Sequence, residues 1–295
     1  MRNLTKTSIA AAAVGLLALT GCTASDDTAG DGGEDMDITI AVFNGWDEGV
    51  ATSWLWANIL EDEGYDVELE YADPGPVFTG LASGDSDFTT DVWLPNTHES
   101  YLEEYGDDIT DLGAWNEDSK LTLAVNEDAP IDSIAELAEN ADLFGNRIVG
   151  IEPGAGLTEA MEEEVIPGYG LEDMEFLTSS TPAMLSELTA ATDAGENIVV
   201  TLWEPHRAYA QFPVKNLEDP EGALGGTESL HTFSSTDFPE SSPIAAGWLE
   251  NFEMDTDTLY SLVDAMFVDY EGDDFEPVVD QWIEDNQEYV DSLTS

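Results

Sequence analysis

The feature that most constrains the fold is an alternation of short strand-like runs with helical stretches along almost the whole chain. The runs 38–43, 67–71 and 88–92 are rich in β-branched and aromatic residues, and a helical pattern at 47–63 separates the first two. The run 198–202 is continuously apolar, as strands buried on both faces are. Such alternation predicts an α/β fold with mostly parallel sheets.

The rest of the chain extends this pattern and shows no single break between consecutive domains. After Leu230 it is helical in pattern throughout. We therefore predict two lobes joined by two crossovers, near 118–122 and 209–217. One lobe comprises 38–120 with 214–295, and the other comprises 121–213. The further predicted strands are 121–125 and 147–152, and the further predicted helices are 77–82, 131–143, 158–165, 181–195, 244–252, 256–268 and 275–293.

The first 37 residues have the features of an export signal followed by a tether. A short basic start precedes the apolar run Ser8–Thr20, which is too short to span a bilayer. Leu-Thr-Gly then precedes Cys22, the only cysteine, and this arrangement resembles a bacterial lipobox. We predict a signal peptide at 1–21, lipidation of Cys22, and a small-residue acidic tether over 22–37.

The charge balance is strongly acidic, with 65 Asp and Glu against 6 Lys and Arg. Nucleic acid is excluded as a partner, because too few cations are present to neutralise phosphates. The acidic residues are spread along the whole chain, which favours a solvated surface suited to high salt over a surface that steers a ligand. At about 1 M salt the field of such charges extends only ~3 Å.

Three tryptophans stand where predicted strands end. Trp46, Trp93 and Trp203 follow the strands 38–43, 88–92 and 198–202 in what we predict to be loops. Ligands of open α/β sheets bind at the carboxyl ends of strands, and indole faces attract cations. Each ring could instead be ordinary core, but three placed alike favour a cage for a trimethylammonium group. Packing is the simpler explanation for the other five, Trp54, Trp56, Trp115, Trp248 and Trp282, which we place in helices or, for Trp115, in a turn.

A glycine-rich turn follows a fourth predicted strand. Pro153-Gly154-Ala155-Gly156 leads directly into a helical pattern that begins near Leu157. Free backbone N–H groups and the helix dipole can bind an anion there, and glycine lets the backbone approach a ligand closely. Beside an aromatic cage, such a turn supplies the donors that the carboxylate of a zwitterion requires. His98 could add a further donor.

The blocks GWDEGVA, DVWLPNTHESY, IVGIEPGAGL, PAMLSELTAA and IVVTLWEPH resemble the glycine-betaine-type substrate-binding proteins of ABC importers. The resemblance covers nearly the whole chain after the tether. It implies a two-lobe periplasmic-binding-protein-like fold, with the ligand in a cleft between lobes that close on it.

The resemblance also implies roles for particular residues. Trp46, Trp93 and Trp203 would form the cage, and the amides of Gly156 and Leu157, with His98, would bind the carboxylate. The chain departs from some relatives at Ala155, where they have Trp, and at Arg207, where they have an aromatic residue. The first departure puts in doubt any cage geometry that uses the turn, and the second is compatible with surface adaptation.

The sequence thus predicts a monomeric lipoprotein on the outer face of the cell membrane. It would carry glycine betaine or a related osmolyte to a membrane permease and ATPase, without cofactor or metal. Choline, carnitine and proline betaine remain open as ligands. An acidic hydrolase is the rival class, but no nucleophile elbow, P-loop or metal-spaced His pair is present. Asp269–Asp274 suggests a calcium loop but fails EF-hand spacing.

Overall fold

A computed structural model of the chain describes residues 34–270, 272 and 274–295. The predicted signal peptide, Cys22 and almost all of the predicted tether lie outside these residues, as do two positions of the proposed calcium loop. No helix in the described ranges is both long and apolar enough to cross a bilayer.

The described strands form one mixed sheet of nine, in the order β2-β1-β3-β9-β4-β7-β5-β6, with β8 paired to β4. The strands are β1 (Asp37–Phe43), β2 (Asp66–Ala72), β3 (Phe88–Leu94), β4 (Ile109–Asn126), β5 (Arg147–Val149), β6 (Glu175–Leu177), β7 (Val199–Glu204), β8 (Val214–Asn216) and β9 (Thr227–Ser235).

The α-helices among the described residues lie between and after these strands. They are α1 (Asp47–Asp62), α2 (Pro74–Ser83), α3 (Glu99–Tyr105), α4 (Leu137–Asn140), α5 (Gly156–Ala160), α6 (Ile166–Tyr169), α7 (Thr181–Ala194), α8 (Ala208–Gln211), α9 (Phe238–Ser241), α10 (Pro243–Leu249), α11 (Thr256–Phe267), α12 (Glu276–Asp285) and α13 (Gln287–Leu293). A π-helical segment, Met161–Val165, connects α5 and α6 into one continuous helix.

The α/β class is confirmed, but the expectation of mostly parallel pairing is wrong at the centre of the sheet. The strands β1, β2 and β3 pair in parallel, as do β5, β6 and β7. Between these groups β9 and β4 pair antiparallel with each other and with their outer neighbours. The strand β4 pairs with β9 up to Lys120 and with β7 from Lys120 onward, so it belongs to both halves of the sheet.

Several predicted elements differ from the observed ones. The chain is not helical immediately after Leu230, because β9 continues to Ser235 and its alternate side chains pack into the core. Trp115 is in β4 rather than in a turn, and its ring stacks on Phe252. The predicted helix 131–143 is a series of short 3-10 and α turns. The predicted helix 275–293 is interrupted at Asn286.

Local chemistry explains where the well-formed helices begin. Ser180 caps α7: its hydroxyl accepts from the amide of Ala183, and Pro182 occupies the first turn. The amide and the hydroxyl of Thr181 both donate to the Glu152 carboxylate. The helix α7 is thereby attached to the loop that follows β5.

Candidate ligand-binding site

The predicted site residues lie at or after the carboxyl ends of two pairs of parallel strands. Trp46 follows the end of β1 and Trp93 lies near the end of its neighbour β3, whereas Trp203 lies near the end of β7 and the glycine turn follows its neighbour β5. Trp93 and Trp203 are the next-to-last residues of their strands, not loop residues as predicted. Within each parallel pair the carboxyl ends lie at the same edge. The antiparallel strands β9 and β4 make the two pairs run in opposite directions, and both sets of carboxyl ends meet near Lys120, where β4 changes partner.

The three indole rings are buried and line one small cavity, which we call the inner cavity. Trp46 and Trp203 meet edge to face, with ring centroids 6.2 Å apart and an interplanar angle of 62°. The described lining residues are Trp46, Glu48, Trp93, Thr97, Leu121, Ile151, Ala155, Gly156, Leu157 and Trp203.

Buried carboxylates hold two of the rings. The Trp46 indole N–H donates to Glu152, which also accepts from Thr181 at the start of α7. The Trp93 indole N–H donates to the Asp91 carboxylate over 2.8 Å. Trp203 is supported by the edge of the His206 ring, whose centroid lies 4.5 Å away. These contacts fix the ring planes, so the cavity walls are preorganised.

The glycine turn closes the opposite side of the inner cavity. A Cβ at Gly156 would lie 1.8 Å from the backbone oxygen of Thr97, so only glycine permits this approach. The amides of Ala155 and Thr158 have acceptors within the turn. Among the described residues, the intervening amides of Gly156 and Leu157 have no hydrogen-bond acceptor, so they are free to donate.

His98 lies behind the cavity rather than on its described lining. Its ring is nearly parallel to those of Phe43 and Trp46, at centroid distances of 5.4 and 5.7 Å, and those two rings stack on each other at 4.7 Å. Its Nδ1 accepts from the Trp93 amide, which places the proton of the neutral ring on Nε2. Burial lowers the pKa of His98 to about 3, so the ring is neutral at physiological pH. Among the described residues, Nε2 has no hydrogen-bond partner.

The sequence matches the model of a known family over residues 36–285, described as the substrate binding domain of an ABC-type glycine betaine transport system. The chain belongs to this family. The predicted resemblance is therefore confirmed, and membership places the chain among transport substrate-binding domains rather than among hydrolases.

Individual relatives agree with the family assignment. The glycine betaine/carnitine transport binding protein GbuC of Listeria monocytogenes is 34% identical over 56% of this chain, although the match spans only 54% of GbuC itself. Lactococcal OpuAC, solved closed with glycine betaine, superposes with a TM-score of 0.81 at 29% identity, over 88% of this chain and all of that one. ProX of Borrelia burgdorferi gives 0.80 at 30% identity, over 86% and 95%. These structures confirm the two-lobe fold.

Two acidic residues of this family member were missed by the sequence analysis. Glu48 lines the inner cavity and is 1% exposed, and neither carboxylate oxygen has a hydrogen-bond partner among the described residues. Asp91 is also buried, and its Oδ2 packs against Gly49 on α1. The sequence did not distinguish them from the other acidic residues: Gly49 and Thr52, near Glu48 on α1, indicate only a closely packed helix start.

Burial sets the protonation of this pair. Desolvation raises the pKa of Glu48 well above its usual range, and the charge of Asp91 raises it further. The Trp203 indole opposes part of this rise, without a hydrogen bond of standard geometry. Burial likewise raises the pKa of Asp91 well above its usual range, against the hydrogen bond from Trp93. A cation placed beside Glu48 would therefore stabilise its ionised form and oppose the rise in its pKa.

Thr97 was also missed, although it lies between the predicted Trp93 and His98. Its amide and hydroxyl both donate to Glu228 on β9, over 2.9 and 2.6 Å. The neighbouring amide of Asn96 donates to the same carboxylate. Glu228 thus anchors the loop after β3 to the centre of the sheet and holds Thr97 against Gly156.

Proposed function

We propose that this chain binds glycine betaine outside the cytoplasm and delivers it to the permease and ATPase of an importer in the membrane. One observation carries the proposal: three indole rings from the ends of separate strands line a single cavity that the Gly156 turn also lines. A trimethylammonium group among such rings gains ~0.5–2 kcal/mol per face, depending on desolvation.

The carboxylate end of the ligand would lie against the glycine turn. The amides of Gly156 and Leu157 are the proposed donors, supported by their lack of acceptors among the described bonds. His98 is the proposed third donor, because its Nε2 carries a proton that no described group accepts. The ring stands behind Trp46, so it would reach the ligand only when the rings move apart.

The size of the inner cavity supports a binding mechanism in which the lobes open. Its volume is about 20 Å³, room for about one water molecule. Glycine betaine has about eight non-hydrogen atoms, and at the limit of ~1.5 kcal/mol per atom it could gain ~12 kcal/mol. Micromolar binding needs ~8 kcal/mol. Cage and donors can therefore supply the affinity, but the rings must separate for the ligand to enter.

We propose the same lobe boundaries that the sequence predicts. The first crossover would lie where β4 changes partner at Lys120, and the second would include β8. Trp46 and Trp93 then belong to one lobe, and Trp203 and Gly156 to the other. Lipidation of Cys22 would hold a monomer at the outer membrane face, and the acidic surface would suit high salt.

Choline is a second candidate, favoured by Glu48. A bare cation benefits from a carboxylate beside the cage, and Glu48 is buried on the same cavity as the three rings. Against choline, the opposite wall offers backbone N–H groups, which suit an anion. Carnitine, named in the description of GbuC, has both an ammonium and a carboxylate, as glycine betaine does.

A ligand panel tests the proposal. Thermal unfolding of the purified protein would be measured with glycine betaine, proline betaine, carnitine, choline and ectoine at several salt concentrations. Glycine betaine at a hundred times its Kd should add about 2.7 kcal/mol of stability. A greater effect from choline would transfer the assignment to choline. No stabilisation by any quaternary ammonium compound at any salt concentration would refute the proposed function.

A further inference from the structure

Arg207 lies outside the inner cavity, at the start of α8, where it contacts α1 and α11. Its Nη1 donates to Asp47 Oδ1 over 2.8 Å, and its guanidinium carbon lies 4.9 Å from the centroid of the Phe267 ring. The Asp47 side chain is 3% exposed and that of Arg207 is 22% exposed. The ion pair is therefore largely withdrawn from solvent, and added salt screens it less than a surface pair.

The two partners flank the residues that line the cavity. Asp47 is the first residue of α1 and stands between Trp46 and Glu48. Arg207 follows Trp203 by four residues, at the start of α8. The two positions are 160 residues apart in sequence. The pair thus joins the segment that carries one cage ring to the segment that carries another.

Arg207 is also the cation that neutralises Asp47. Burial raises the pKa of Asp47 to about 6, and Arg207 opposes that rise. The Nε2 atom of His206 is 3.7 Å from Asp47 Oδ2, but burial lowers the pKa of His206 to about 3, so that ring is neutral. Without Arg207, Asp47 would remain a buried carboxylate with no positive partner among the described side chains.

We propose that Arg207 is a positioning residue for the ligand site: its ion pair with Asp47 holds the Trp46 and Trp203 segments together and slows release of the ligand. This inference rests on the proposed function. In the proposed lobes, Asp47 and Phe267 belong to one and Arg207 to the other, so the pair acts as a latch across the cleft.

The latch has a definite thermodynamic consequence. A buried ion pair adds little by itself, because both charges lose hydration when it forms. Removing one partner is different, because the remaining buried charge then favours any arrangement that returns it to water. Loss of Arg207 should therefore favour separated lobes, and the apparent Kd rises as the competent fraction falls.

The test compares Arg207→Ala with Arg147→Ala. Arg147 forms an exposed pair with Glu187 over 3.0 Å, within one proposed lobe and away from the cavity, so it is a matched control. Glycine betaine dissociation would be followed by tryptophan fluorescence in stopped flow. Arg207→Ala should raise the dissociation rate about tenfold or more, and Arg147→Ala should leave it unchanged. Arg207→Lys, which keeps the charge, should recover part of the effect.

A double-mutant cycle shows whether the effect runs through Asp47. Arg207→Ala should have little further effect in an Asp47→Asn background. An equal effect in both backgrounds would overturn the inference. Ligand-free unfolding by denaturant separates a general loss of stability from the change in release rate.

A ligand-independent measurement separates failure of the inference from failure of the proposed function. If the wild-type protein binds no quaternary ammonium compound, the proposed function fails, and the latch is then judged by X-ray scattering alone. Arg207→Ala should enlarge the radius of gyration of the free protein relative to wild type and Arg147→Ala. If the wild-type protein binds ligand, equal radii and equal release rates in Arg207→Ala and wild type would overturn the latch. If it binds none, equal radii of the free proteins would be enough to overturn it.

Discussion

The inner cavity and the acidic cleft beside it differ sharply, although both include Thr97, Leu121 and Gly156 in their linings. The acidic cleft is open, measures about 410 Å³ and is lined by five exposed glutamates, namely Glu99, Glu103, Glu159, Glu163 and Glu164. The inner cavity is buried, measures about 20 Å³ and has one lining carboxyl group, Glu48.

The number of acidic groups around a site does not determine how strongly they affect ligand binding. In the cleft, water and salt screen each carboxylate, and a zwitterion has no net charge for them to attract. In the inner cavity, one carboxyl group lacks water and has a strongly raised pKa. Few buried groups should therefore decide binding, while the abundant exposed ones should matter little. The following four predictions test this contrast, from the largest effect to the smallest.

The largest effect is expected where the two regions meet. Gly156→Ala places a Cβ 1.8 Å from the Thr97 backbone oxygen, so the turn must shift away from the cage. Overpacking of this kind costs ~1–3 kcal/mol, and we expect glycine betaine affinity to fall by about 100-fold at the upper end of that range. Gly168→Ala, with no atom within 4 Å of its added Cβ, is the calorimetric control. Equal affinities of the two variants would contradict the role of the turn.

Removal of a cage ring should have the next largest effect. Trp93→Ala should weaken glycine betaine binding at least tenfold, about 1.4 kcal/mol, because one desolvated aromatic face is lost. Trp93→Leu, which keeps apolar bulk without a ring, should bind nearly as poorly. Trp54, which donates to Tyr71 away from the cavity, provides the control as Trp54→Ala. Calorimetry gives the affinities, and affinity retained in both Trp93 variants would remove the cage from the mechanism.

Affinity should depend on pH through Glu48. Its pKa is raised in the free protein, and a cation bound beside it stabilises the carboxylate, so binding releases a proton wherever Glu48 is protonated. Affinity should therefore increase with pH up to the raised pKa and then level off. Below that pKa the change is at most tenfold per pH unit for one proton.

Calorimetry in buffers of different ionisation enthalpy counts the released protons. Glu48→Gln should abolish the release, whereas Glu163→Gln in the acidic cleft should preserve it. Equal proton release by wild type and Glu48→Gln would show that another group titrates.

The smallest effect is expected in the acidic cleft itself. The double change Glu163→Gln and Glu164→Gln removes two exposed charges, and exposed charges are worth ~0–1 kcal/mol even when paired. We expect the glycine betaine Kd to change less than about twofold at high salt. A titration at low and high salt checks this. A loss comparable to that of Trp93→Ala would mean that the cleft, rather than the inner cavity, governs binding.

Sequence reasoning located the three tryptophans that line the inner cavity because the rule it used is local. Trp46, Trp93 and Trp203 each stand at or just after the end of a strand whose pattern is visible in a few residues. Parallel pairing of β1 and β3 brings Trp46 and Trp93 together, whereas Trp203 reaches them because β4 pairs with both halves of the sheet. The strand β9 was missed because its outward positions, such as Ser229 and His231, are polar, and its start resembles a loop. Its position between β3 and β4 depends on pairing with residues more than a hundred positions earlier.

Glu48 could not be singled out from the sequence, because 65 acidic residues make any one of them unremarkable. Only the fold removes Glu48 and Asp91 from water, and burial is the largest cause of their raised pKa values. His98 shows the same limit: its place in the motif was visible, but its stacking behind Trp46 was not.

The sequence by itself determined the α/β class and the strand ends at which the three cavity-lining tryptophans stand, because periodicity and turn chemistry act between near neighbours in the chain, and its motif blocks indicated the family by resemblance. The tertiary structure decided which carboxylates became buried, that Gly156 contacts Thr97, and that Arg207 pairs with Asp47 across 160 positions. The physical reason is that electrostatic strength depends on distance and local dielectric, and both are set by which distant segments the fold brings together.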